Sequence, residues 1–502
     1  MLLADVVATS AAVGATRSRS AKAALLADLL ARVATDGPDD VMTVTSYLAG
    51  SLRQRRTGLG WRSLRDVPPP ASTSGLTVDE VHETFERLAS LAGAGSQLMR
   101  AEATTDLFAR ATVEEQAWLR GIVTGEVRQG ALDSLVQEGL AIAGGVSSAA
   151  VRRAAMMAGS TVDVAAAALT GGEEALATFG LEVGRPVLPM LASTAPTIEA
   201  AMAKAGGGTV AVDTKLDGVR VQVHRRGDDV LVVTRSLDDV TSRHPEVVAV
   251  ARSLACADVV LDGEVLALGA DGRPRPFQET ASRAASATGV ELTPAFFDVL
   301  HLDGRDLTDE PTATRLDVLE ALVPERHRAT RVLTADVAEA EAFAAGVLAL
   351  GHEGVVVKSL AAPYAAGRRG ATWVKVKPVH TLDLVVLAVE RGSGRRGEWL
   401  SNIHLGARDG DGVVMLGKTF KGMTDEMLAW QTERFRELQT GDDGYVVTVR
   451  PQQVVEIAFD GVQRSTRYRG GVALRFARVV RYRDDKAAAD ADTIDTVRSY
   501  LP

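Results

Sequence analysis

One lysine, Lys215, has the residue type and the surroundings of a nucleophile. It lies in the run DTKLDG of residues 213–218, in a chain where 9 of the 56 Lys and Arg residues are Lys. Arg stays charged at ordinary pH, whereas the amine of a Lys can lose its proton when it is buried or placed beside other cations. A sequence that otherwise prefers Arg is therefore predicted to need an amine at this position. The alternative is that Lys215 and the later lysines of the chain are placed by chance.

Two further lysines, Lys375 and Lys377, alternate with Val374 and Val376. Such alternation is typical of a strand, on which the two lysines project from one face and the two valines from the other. Residues 354–378 contain five basic residues and no acidic one. Two ammonium groups on one face predict a phosphate site, and an edge strand with a basic outer face is the alternative.

Three hydrophobic patterns divide the chain. Apolar residues recur at helical spacing through about the first 180 residues, as in 78–88, with Thr77 as a cap. After the Pro-containing segment 184–191 the period switches to two, as in 219–224. From His380 onward, short strands separated by Gly and Asp turns suit a small Greek-key barrel of the OB type, with an SH3-like barrel as the alternative.

Length and composition indicate a multidomain globular protein. A chain of 502 residues is too long for one core and predicts about three domains. The apolar content of 46% is ordinary, and no apolar run is long enough to span a membrane. The single Cys256 excludes an internal disulfide and a four-Cys zinc site, and it fits a reducing cytoplasm.

The net charge of −9 argues mildly against a nucleic-acid partner, but binding depends on where the charge lies. Residues 460–486 contain eight basic and three acidic residues. This stretch can neutralise phosphates while other surfaces carry the acidic residues, and a solvated basic face is the alternative.

Seven short segments carry a resemblance to a known family. They are DTKLDG at 213–218, TRS at 234–236, DGE at 262–264, FFDVLHLDG at 296–304, EGVVVK at 353–358, WVKVK at 373–377 and RDDK at 483–486. In this order and at this spacing they resemble the motifs of covalent nucleotidyltransferases. The chain most closely resembles ATP-dependent DNA ligases of the three-domain bacterial and archaeal kind, over essentially its whole length.

The resemblance implies a multidomain α+β fold with three parts. An all-helical DNA-binding domain is expected over residues 1–185. An ATP-grasp-like, antiparallel α+β nucleotidyltransferase domain is expected over 200–378, and an OB-fold β-barrel over 379–502.

The resemblance also implies a role for each motif residue. Lys215 would attack the α-phosphorus of ATP and carry AMP, and Glu264 and Glu353 would bind Mg²⁺ or Mn²⁺, which takes carboxylate and phosphate oxygens. Phe297 would stack on adenine. The expected ATP site comprises Asp213, Arg220, Arg235, Glu264, Phe297, Arg369, Lys375, Lys377, Arg483 and Lys486.

The amino-terminal part contains expected DNA contacts, and the central motif contains one departure from the family pattern. The segment GEVRQG at 125–130 is similar to an element of the ligase DNA-binding domain, and the arginines around residues 53–56 form an expected phosphate-contacting loop. Asp213 stands where the family usually has the longer Glu. The expected DNA contacts are Arg53, Arg55, Arg56 and Arg128.

The implied function is an ATP-dependent DNA ligase that seals 3′-OH/5′-phosphate nicks in double-stranded DNA, in replication, repair or recombination. It is expected to act as a cytoplasmic, nucleoid-associated monomer. The alternatives are an RNA ligase, another covalent nucleotidyltransferase, and a non-catalytic DNA-binding relative. A single cysteine and a long helical amino-terminal region argue against NAD-dependent ligases, and the same helical region argues against capping enzymes.

Overall fold

The structure is a computed structural model. It describes residues 1–35, 37–54, 56–127, 129–130, 133–286, 289–365, 369–393 and 396–501, with the backbone alone at residue 369. Helices are followed by a mixed α+β region and then by a β-rich region, as the sequence predicts.

Helices that bury one apolar face build the amino-terminal region. They are α1 (Leu3–Ala15), α2 (Arg19–Val33), α3 (Pro38–Leu48), α4 (Val78–Ser90), α5 (Ser96–Arg110), α6 (Val113–Thr124), α7 (Asp133–Gly144), α8 (Ser148–Ala158) and α9 (Gly172–Ala177).

Helix α4 shows why these segments are helical. Thr77 accepts a hydrogen bond from the backbone N–H of Glu80, whose side chain bonds back to Thr77 N–H, so both ends of a capping box are present. Val81, Phe85 and Leu88 are buried at helical spacing. The predicted cap and helix are confirmed.

Two sheets and their covering helices form the central region. Its elements are β1 (Leu191–Thr194), α10 (Ile198–Lys204), β2 (Val210–Lys215), β3 (Val219–Arg226), β4 (Asp229–Thr234), α11 (Pro245–Ser253), β5 (Asp258–Ala267), α12 (Phe277–Ala284), β6 (Leu292–Leu302), β7 (Arg305–Asp306), α13 (Thr312–Leu322), β8 (Arg331–Thr334), α14 (Val337–Ala349), β9 (Gly354–Ser359) and β10 (Arg369–Val376).

The first sheet has the strand order β1-β10-β9-β2-β8 and the second β4-β3-β5-β6-β7. The predicted antiparallel pairing holds for each ladder of the described strands except one, since β1 runs parallel to β10. The expected antiparallel α+β fold is confirmed, with one parallel pair at the edge of the first sheet, where β1 is separated from β10 by most of the central region. No hairpin turn therefore imposes an antiparallel direction on this pair.

The carboxy-terminal region contains a seven-stranded sheet, a two-stranded sheet of its own and two helices. Its elements are β11 (His380–Arg391), β12 (Leu400–Asp409), β13 (Gly412–Thr419), α15 (Asp425–Glu437), β14 (Gln439–Asp442), β15 (Val446–Val449), β16 (Val454–Phe459), β17 (Gly461–Arg464), β18 (Val472–Arg475), β19 (Arg478–Arg483) and α16 (Ile494–Arg498).

Strand β11 is the central strand of the seven-stranded sheet. Its first half pairs with β16 and its second half with β15, while β12 occupies the opposite edge. The pairing of β11 with β12 shifts register between Val386 and Ala388, as at a β-bulge. The strands expected from sequence correspond to β11, β12, β13, β15 and β16, whereas β14, the last three strands and both helices were missed.

Each region has its own buried apolar cluster, and a further cluster joins the first two regions. In it, Met156 and Met157 of α8 pack with Val187, Tyr364 and Trp373. No helix within the described residues is both long and apolar enough to cross a membrane.

Candidate active site

A cleft of about 620 Å³ gathers most of the predicted site residues, and both central sheets line it. Lys215 and Lys375 come from the first sheet. Arg220, Glu264 and Phe297 come from the second. Segments far apart in the sequence therefore meet around one volume.

Lys215 is the last residue of β2, and the chain must turn directly behind it. Gly218 makes this turn possible, since a Cβ there would lie 2.3 Å from the carbonyl oxygen of Val265. A carbon cannot approach an oxygen so closely, so the Lys-x-Asp-Gly glycine is required by packing against β5.

The Lys215 ammonium donates to Glu353 Oε2, and Lys377 Nζ donates to Glu353 Oε1 at 3.0 Å. Burial opposes ionisation of Glu353, but these two ammonium groups outweigh it and hold the pKa of Glu353 below its usual value. The nucleophile candidate is thus in contact with a carboxylate that stays ionised.

Glu264 is in the opposite electrostatic situation. Its Oε1 accepts a hydrogen bond from the backbone N–H of Gly218 at 3.1 Å. Burial raises the pKa of Glu264 to about 7, against the opposing charges of Lys215 and Arg220. This carboxylate lines the cleft, and a bound divalent cation would favour its ionised form.

Arg220 is fixed by the protein itself. Its Nε and Nη2 bind Asp262 at 3.0 and 2.6 Å, and its Nη1 donates to the Met190 carbonyl at 2.6 Å. Tyr364 also donates to Asp262, at 2.6 Å. The guanidinium is held 5.5 Å from the centre of the Phe297 ring, at the edge of the cleft.

Aromatic side chains form the apolar wall of the cleft. Phe297 and Trp373 meet edge to face with 5.9 Å between ring centres, and both line the cleft. Such a wall offers a flat apolar surface to a nucleobase. Trp373 was missed as a site residue, although it lies within the WVKVK motif.

Asp213 lines the cleft, but its carboxylate is engaged by two buried cations. Arg331 binds it at 2.5 and 2.8 Å, and Lys358 binds it at 2.7 Å. Burial raises the pKa of Asp213, but the two cations outweigh burial and hold it below its usual value. Sequence reasoning missed Arg331, which lies in none of the motifs; the only signal was that a buried carboxylate needs a cation.

Arg235 follows β4 and lines the cleft. Lys377 lies just beyond β10 and contacts Glu353 and Asp460, the latter from the carboxy-terminal region. Lys377 is not among the residues that line the cleft. Arg369 begins β10, but its side chain lies outside the described part of the chain.

Arg483 and Lys486, like Lys377 and Glu353, are predicted site residues that do not line the cleft. Both bind Asp383 of β11, Arg483 at 3.1 Å and Lys486 at 2.6 Å. They line a separate hollow on the carboxy-terminal region instead. In this arrangement the nearest carboxylates to this motif belong to its own region, so a contact with bound nucleotide requires a different orientation of that region.

Another part of the carboxy-terminal region touches the central region. Arg475 binds Asp217 of the Lys-x-Asp-Gly motif through two bonds of 2.6 and 3.1 Å. Asp460 also accepts from Arg478 at 3.1 Å. Opposite charges thus hold the two regions together beside Lys215.

The predicted DNA contacts are only partly described. Arg53 donates to Thr43 at 3.2 Å and lies 3.8 Å from Asp39, whereas Arg56 is exposed. Arg55 and Arg128 lie outside the described residues.

No group of three or more His, Cys, Asp and Glu side chains that could hold a metal ion occurs among the residues with described positions. Mg²⁺ needs only one or two protein carboxylates when phosphate oxygens and water complete its shell. Glu264 and Glu353 fit that requirement.

A lysine that ends a strand and contacts a carboxylate, inside a cleft of cations, aromatic rings and a second carboxylate, defines a covalent nucleotidyltransferase. The family described as "ATP dependent DNA ligase domain" matches residues 189–377. "ATP dependent DNA ligase C terminal region" matches 396–486 and "DNA ligase N terminus" matches 62–141. The chain belongs to the ATP-dependent DNA ligase family.

Individual relatives agree with this family. A protein of Nocardioides sp. named "Probable DNA ligase" is 71% identical over 505 residues, which cover 100% of this chain and 99% of the relative. A protein of Kineococcus radiotolerans with the same name is 64% identical over 499 residues, 99% of each chain. The solved structure named "Pmar-Lig_PreS3" shares the fold, with a TM-score of 0.62, 17% identity and coverage of 95% of this chain and 99% of its own.

Proposed function

We propose that this chain seals nicks in duplex DNA that carry a 3′-hydroxyl and a 5′-phosphate, with ATP as the source of AMP. One observation carries the proposal. Lys215, which contacts Glu353, lines a cleft together with Arg220, Lys375 and Glu264, in a chain of the ATP-dependent DNA ligase family.

In the first step, Lys215 Nζ forms a bond to the α-phosphorus of ATP, and the bond from that phosphorus to the bridging oxygen breaks. Pyrophosphate leaves with the bonding electron pair. The amine must be neutral to attack, so Lys215 must leave its ion pair with Glu353 and lose a proton to solvent before the N–P bond forms. Arg220 and Lys375 line the cleft and supply positive charge to the phosphates.

In the second step, an oxygen of the DNA 5′-phosphate attacks the phosphorus of lysyl-AMP, and the P–N bond to Lys215 breaks. The nick then carries a 5′-AMP cap joined through a pyrophosphate linkage. In the third step the 3′-hydroxyl attacks the 5′-phosphorus, and AMP leaves. Arg235 lines the cleft and is exposed, so we assign it to the DNA 5′-phosphate.

We assign the nucleobase to the wall formed by Phe297 and Trp373. The carboxylate of Asp213 has a supporting role, because it already holds Arg331 and Lys358. Lys358 Nζ in turn donates to the Phe297 carbonyl at 3.2 Å. This arrangement fixes the aromatic wall from beneath.

Glu264 and Glu353 are proposed to hold Mg²⁺ or Mn²⁺ together with the nucleotide phosphates. A bound cation supplies charge neutralisation at the triphosphate. Glu264 is suited to this role because it lines the cleft, where desolvation raises its pKa to about 7 against the charges of Lys215 and Arg220.

We propose nicked duplex DNA as the partner of the amino-terminal helices, with Arg53 and Arg56 among the phosphate contacts and Arg55 and Arg128 added from the sequence. A monomeric state, a cytoplasmic, nucleoid-associated location, and a place in replication, repair or recombination remain predictions. Arg369, Lys377, Arg483 and Lys486 remain predicted ATP contacts.

The test is the intact mass of the chain after incubation with Mg²⁺ and either ATP, GTP or NAD. ATP should add one adenylate, and Lys215→Ala and Lys215→Arg should abolish the adduct because a guanidinium cannot act as the nucleophile here. The unaltered adenylylated chain should then seal a nicked duplex. An adduct formed by Lys215→Arg would refute the assignment of the nucleophile.

A further inference from the structure

The linker between the helical region and the central region runs behind the cleft and is bound along its length. The polar face of β3, formed by Arg220, Gln222 and His224, holds it. Gln222 bonds to Val187 in both directions: Oε1 accepts from its N–H at 2.9 Å, and Nε2 donates to its carbonyl at 3.2 Å. These two hydrogen bonds hold the linker backbone in the way that a neighbouring strand would.

His224 extends the same attachment. Its Nδ1 accepts from the backbone N–H of Gly184 at 3.1 Å, so its Nε2 carries the hydrogen that is donated to Gln222 Oε1 at 2.8 Å. Burial lowers the pKa of His224 to about 4, so the ring is neutral at ordinary pH. The linker therefore follows one row of alternate β3 side chains.

The far end of the linker is bound to the nucleotide site itself. The Met190 carbonyl accepts from Arg220 Nη1 at 2.6 Å, and the Met190 N–H donates to the Tyr364 hydroxyl at 3.1 Å. Tyr364 and Arg220 share the carboxylate of Asp262. A shift of the linker would therefore move the guanidinium that lines the cleft.

The near end of the linker is pressed against the last turn of α8. Gly159 ends that helix with φ of +72°, and a Cβ there would lie 2.4 Å from the Pro186 carbonyl oxygen. The Leu188 N–H donates to the Met156 carbonyl at 3.2 Å. The helical region and the linker are thus packed so closely at Gly159 that no side-chain atom fits between them.

The same helix end reaches the turn that carries Arg235. A Cβ on Gly159 would lie 3.4 Å from Leu237 Cδ1. Leu237 has φ of +64°, a left-handed conformation that a leucine rarely adopts, and it follows Arg235 and Ser236 of the cleft. The end of α8 at Gly159, called the Gly159 corner below, therefore contacts both the linker that binds Arg220 and the turn that carries Arg235.

We propose that the Gly159 corner and Gln222 are positioning elements for the first step: through the linker, the helical region holds Arg220 where the nucleotide binds. The proposal rests on the proposed self-adenylylation by ATP. It assigns to the helical region a role in nucleotide binding that precedes any contact with DNA. No residue of this region needs to touch the nucleotide for the effect.

The test compares Gly159→Ala with Gly145→Ala in the full-length chain without DNA. Gly145 follows α7 with φ of +63°, so alanine meets the same kind of backbone strain there, but nothing lies within 4 Å of its Cβ. The rate of lysyl-AMP formation is measured against ATP concentration in single turnovers. Gly159→Ala should raise the half-saturating ATP concentration roughly tenfold and leave the maximal rate within about twofold, because a misplaced Arg220 weakens binding.

A second pair of variants covers the case in which Gly159→Ala does not fold. Gln222→Leu removes both bonds to Val187 and should raise the half-saturating ATP concentration by a similar factor. Its control is Gln116→Leu, at a buried glutamine of the helical region that donates to the Pro68 and Phe108 carbonyls, away from the linker. The control should lower the melting temperature without changing the ATP dependence.

Equal ATP dependence in each variant and its control would overturn the proposal. So would a loss confined to the maximal rate, because a general loss of folded enzyme has that signature. If the unaltered chain forms no adduct with ATP, the proposed function fails and this proposal falls with it. A normal unaltered chain with unaffected Gly159→Ala and Gln222→Leu would refute the positioning role alone.

Discussion

At the scale of single residues, the carboxylates of Glu353 and Glu264, which both interact with Lys215, have opposite electrostatic environments. Glu353 forms ion pairs with Lys215 and Lys377, whereas the half-buried Glu264 accepts a hydrogen bond from the Gly218 N–H. The first is held in its ionised form by two ammonium groups, and a bound divalent cation would favour the ionised form of the second. Pairs of acids whose surroundings separate their pKa values often divide catalytic roles in this way.

Glu264 should make the stability of the central region depend on pH. Its pKa is raised from 4.5 to about 7 in the folded chain, so its contribution is fully present below about pH 4.5 and lost as the pH rises through about 7. Without divalent cations, the unaltered chain should lose melting temperature relative to Glu264→Gln between pH 5 and pH 8. Glutamine keeps an acceptor for the Gly218 N–H but has no charge to bury.

The control for this experiment is Glu341→Gln, at an exposed glutamate on α14. Its melting temperature should follow the unaltered chain at every pH. A difference between the unaltered chain and Glu264→Gln that stays constant from pH 5 to pH 8 would contradict the buried-carboxylate account.

At the scale of elements, the start of β9 places Glu353 through tight packing of backbone on backbone. Gly354 has φ of +146°, and a Cβ there would lie 2.3 Å from the carbonyl oxygen of Val376 on β10. The backbone N–H of Glu353 donates to the Lys215 carbonyl at 3.2 Å. Glycine at this position therefore keeps β2, β9 and β10 close enough to bring Lys215 and Glu353 together.

Gly354→Ala should unfold the central region more easily, by about 1–3 kcal/mol from backbone strain alone. It should also slow lysyl-AMP formation, because Glu353 moves with the strand. Melting temperature and single-turnover rate measure the two effects. Gly346→Ala on α14 is the control: its Cβ meets nothing within 4 Å, and alanine should stabilise the helix by roughly 0.5–1 kcal/mol. Similar behaviour of the two variants would count against this role for Gly354.

At the scale of the whole molecule, the carboxy-terminal region is docked through charges that the nucleotide site also uses. Asp460 and Glu353 share the Lys377 ammonium, and Arg478 binds the same Asp460. A triphosphate that needs Lys377 must compete with Asp460. The docked orientation therefore differs from the one expected for the first step.

Asp460→Asn should lower the ATP concentration that gives half-maximal lysyl-AMP formation, because the amide competes less strongly for Lys377 than the carboxylate does. Single-turnover adenylylation over a range of ATP concentrations measures this effect. Asp411→Asn, in the exposed turn between β12 and β13, is the matched control and should have no effect. An unchanged or raised half-saturating concentration in Asp460→Asn would refute the competition.

Arg483→Ala and Lys486→Ala should slow lysyl-AMP formation by roughly 100-fold, since positioned charges near a leaving pyrophosphate stabilise the transition state. Sealing of a nick that already carries 5′-AMP should change much less, because pyrophosphate takes no part in it. Arg481→Ala, on the same strand β19 but largely exposed, is the control. Equal losses in both steps would indicate a folding or DNA-binding role instead.

The sequence by itself determined the chemistry and the succession of folds. The ordered motifs around Lys215, Glu264 and Lys375 predicted the nucleotide site, and switches in hydrophobic period predicted a helical, an α+β and a β-rich region. These features could be predicted because residue type limits reactivity and because the period of burial differs between helix and strand.

Only the tertiary structure decided which charges meet. The alternation in β3 predicts two faces but not that Gln222 and His224 lie buried beneath a linker. Asp213 is paired with Arg331, and Arg483 with Asp383, across 118 and 100 residues of sequence. The sequence also predicted a helical region that is separate from the adenylation chemistry. In the structure, Met156 and Met157 of that region pack in one cluster with Trp373, which lines the cleft. The physical reason is that ion pairs and close packing depend on distances of a few ångströms between distant segments, which no local pattern encodes.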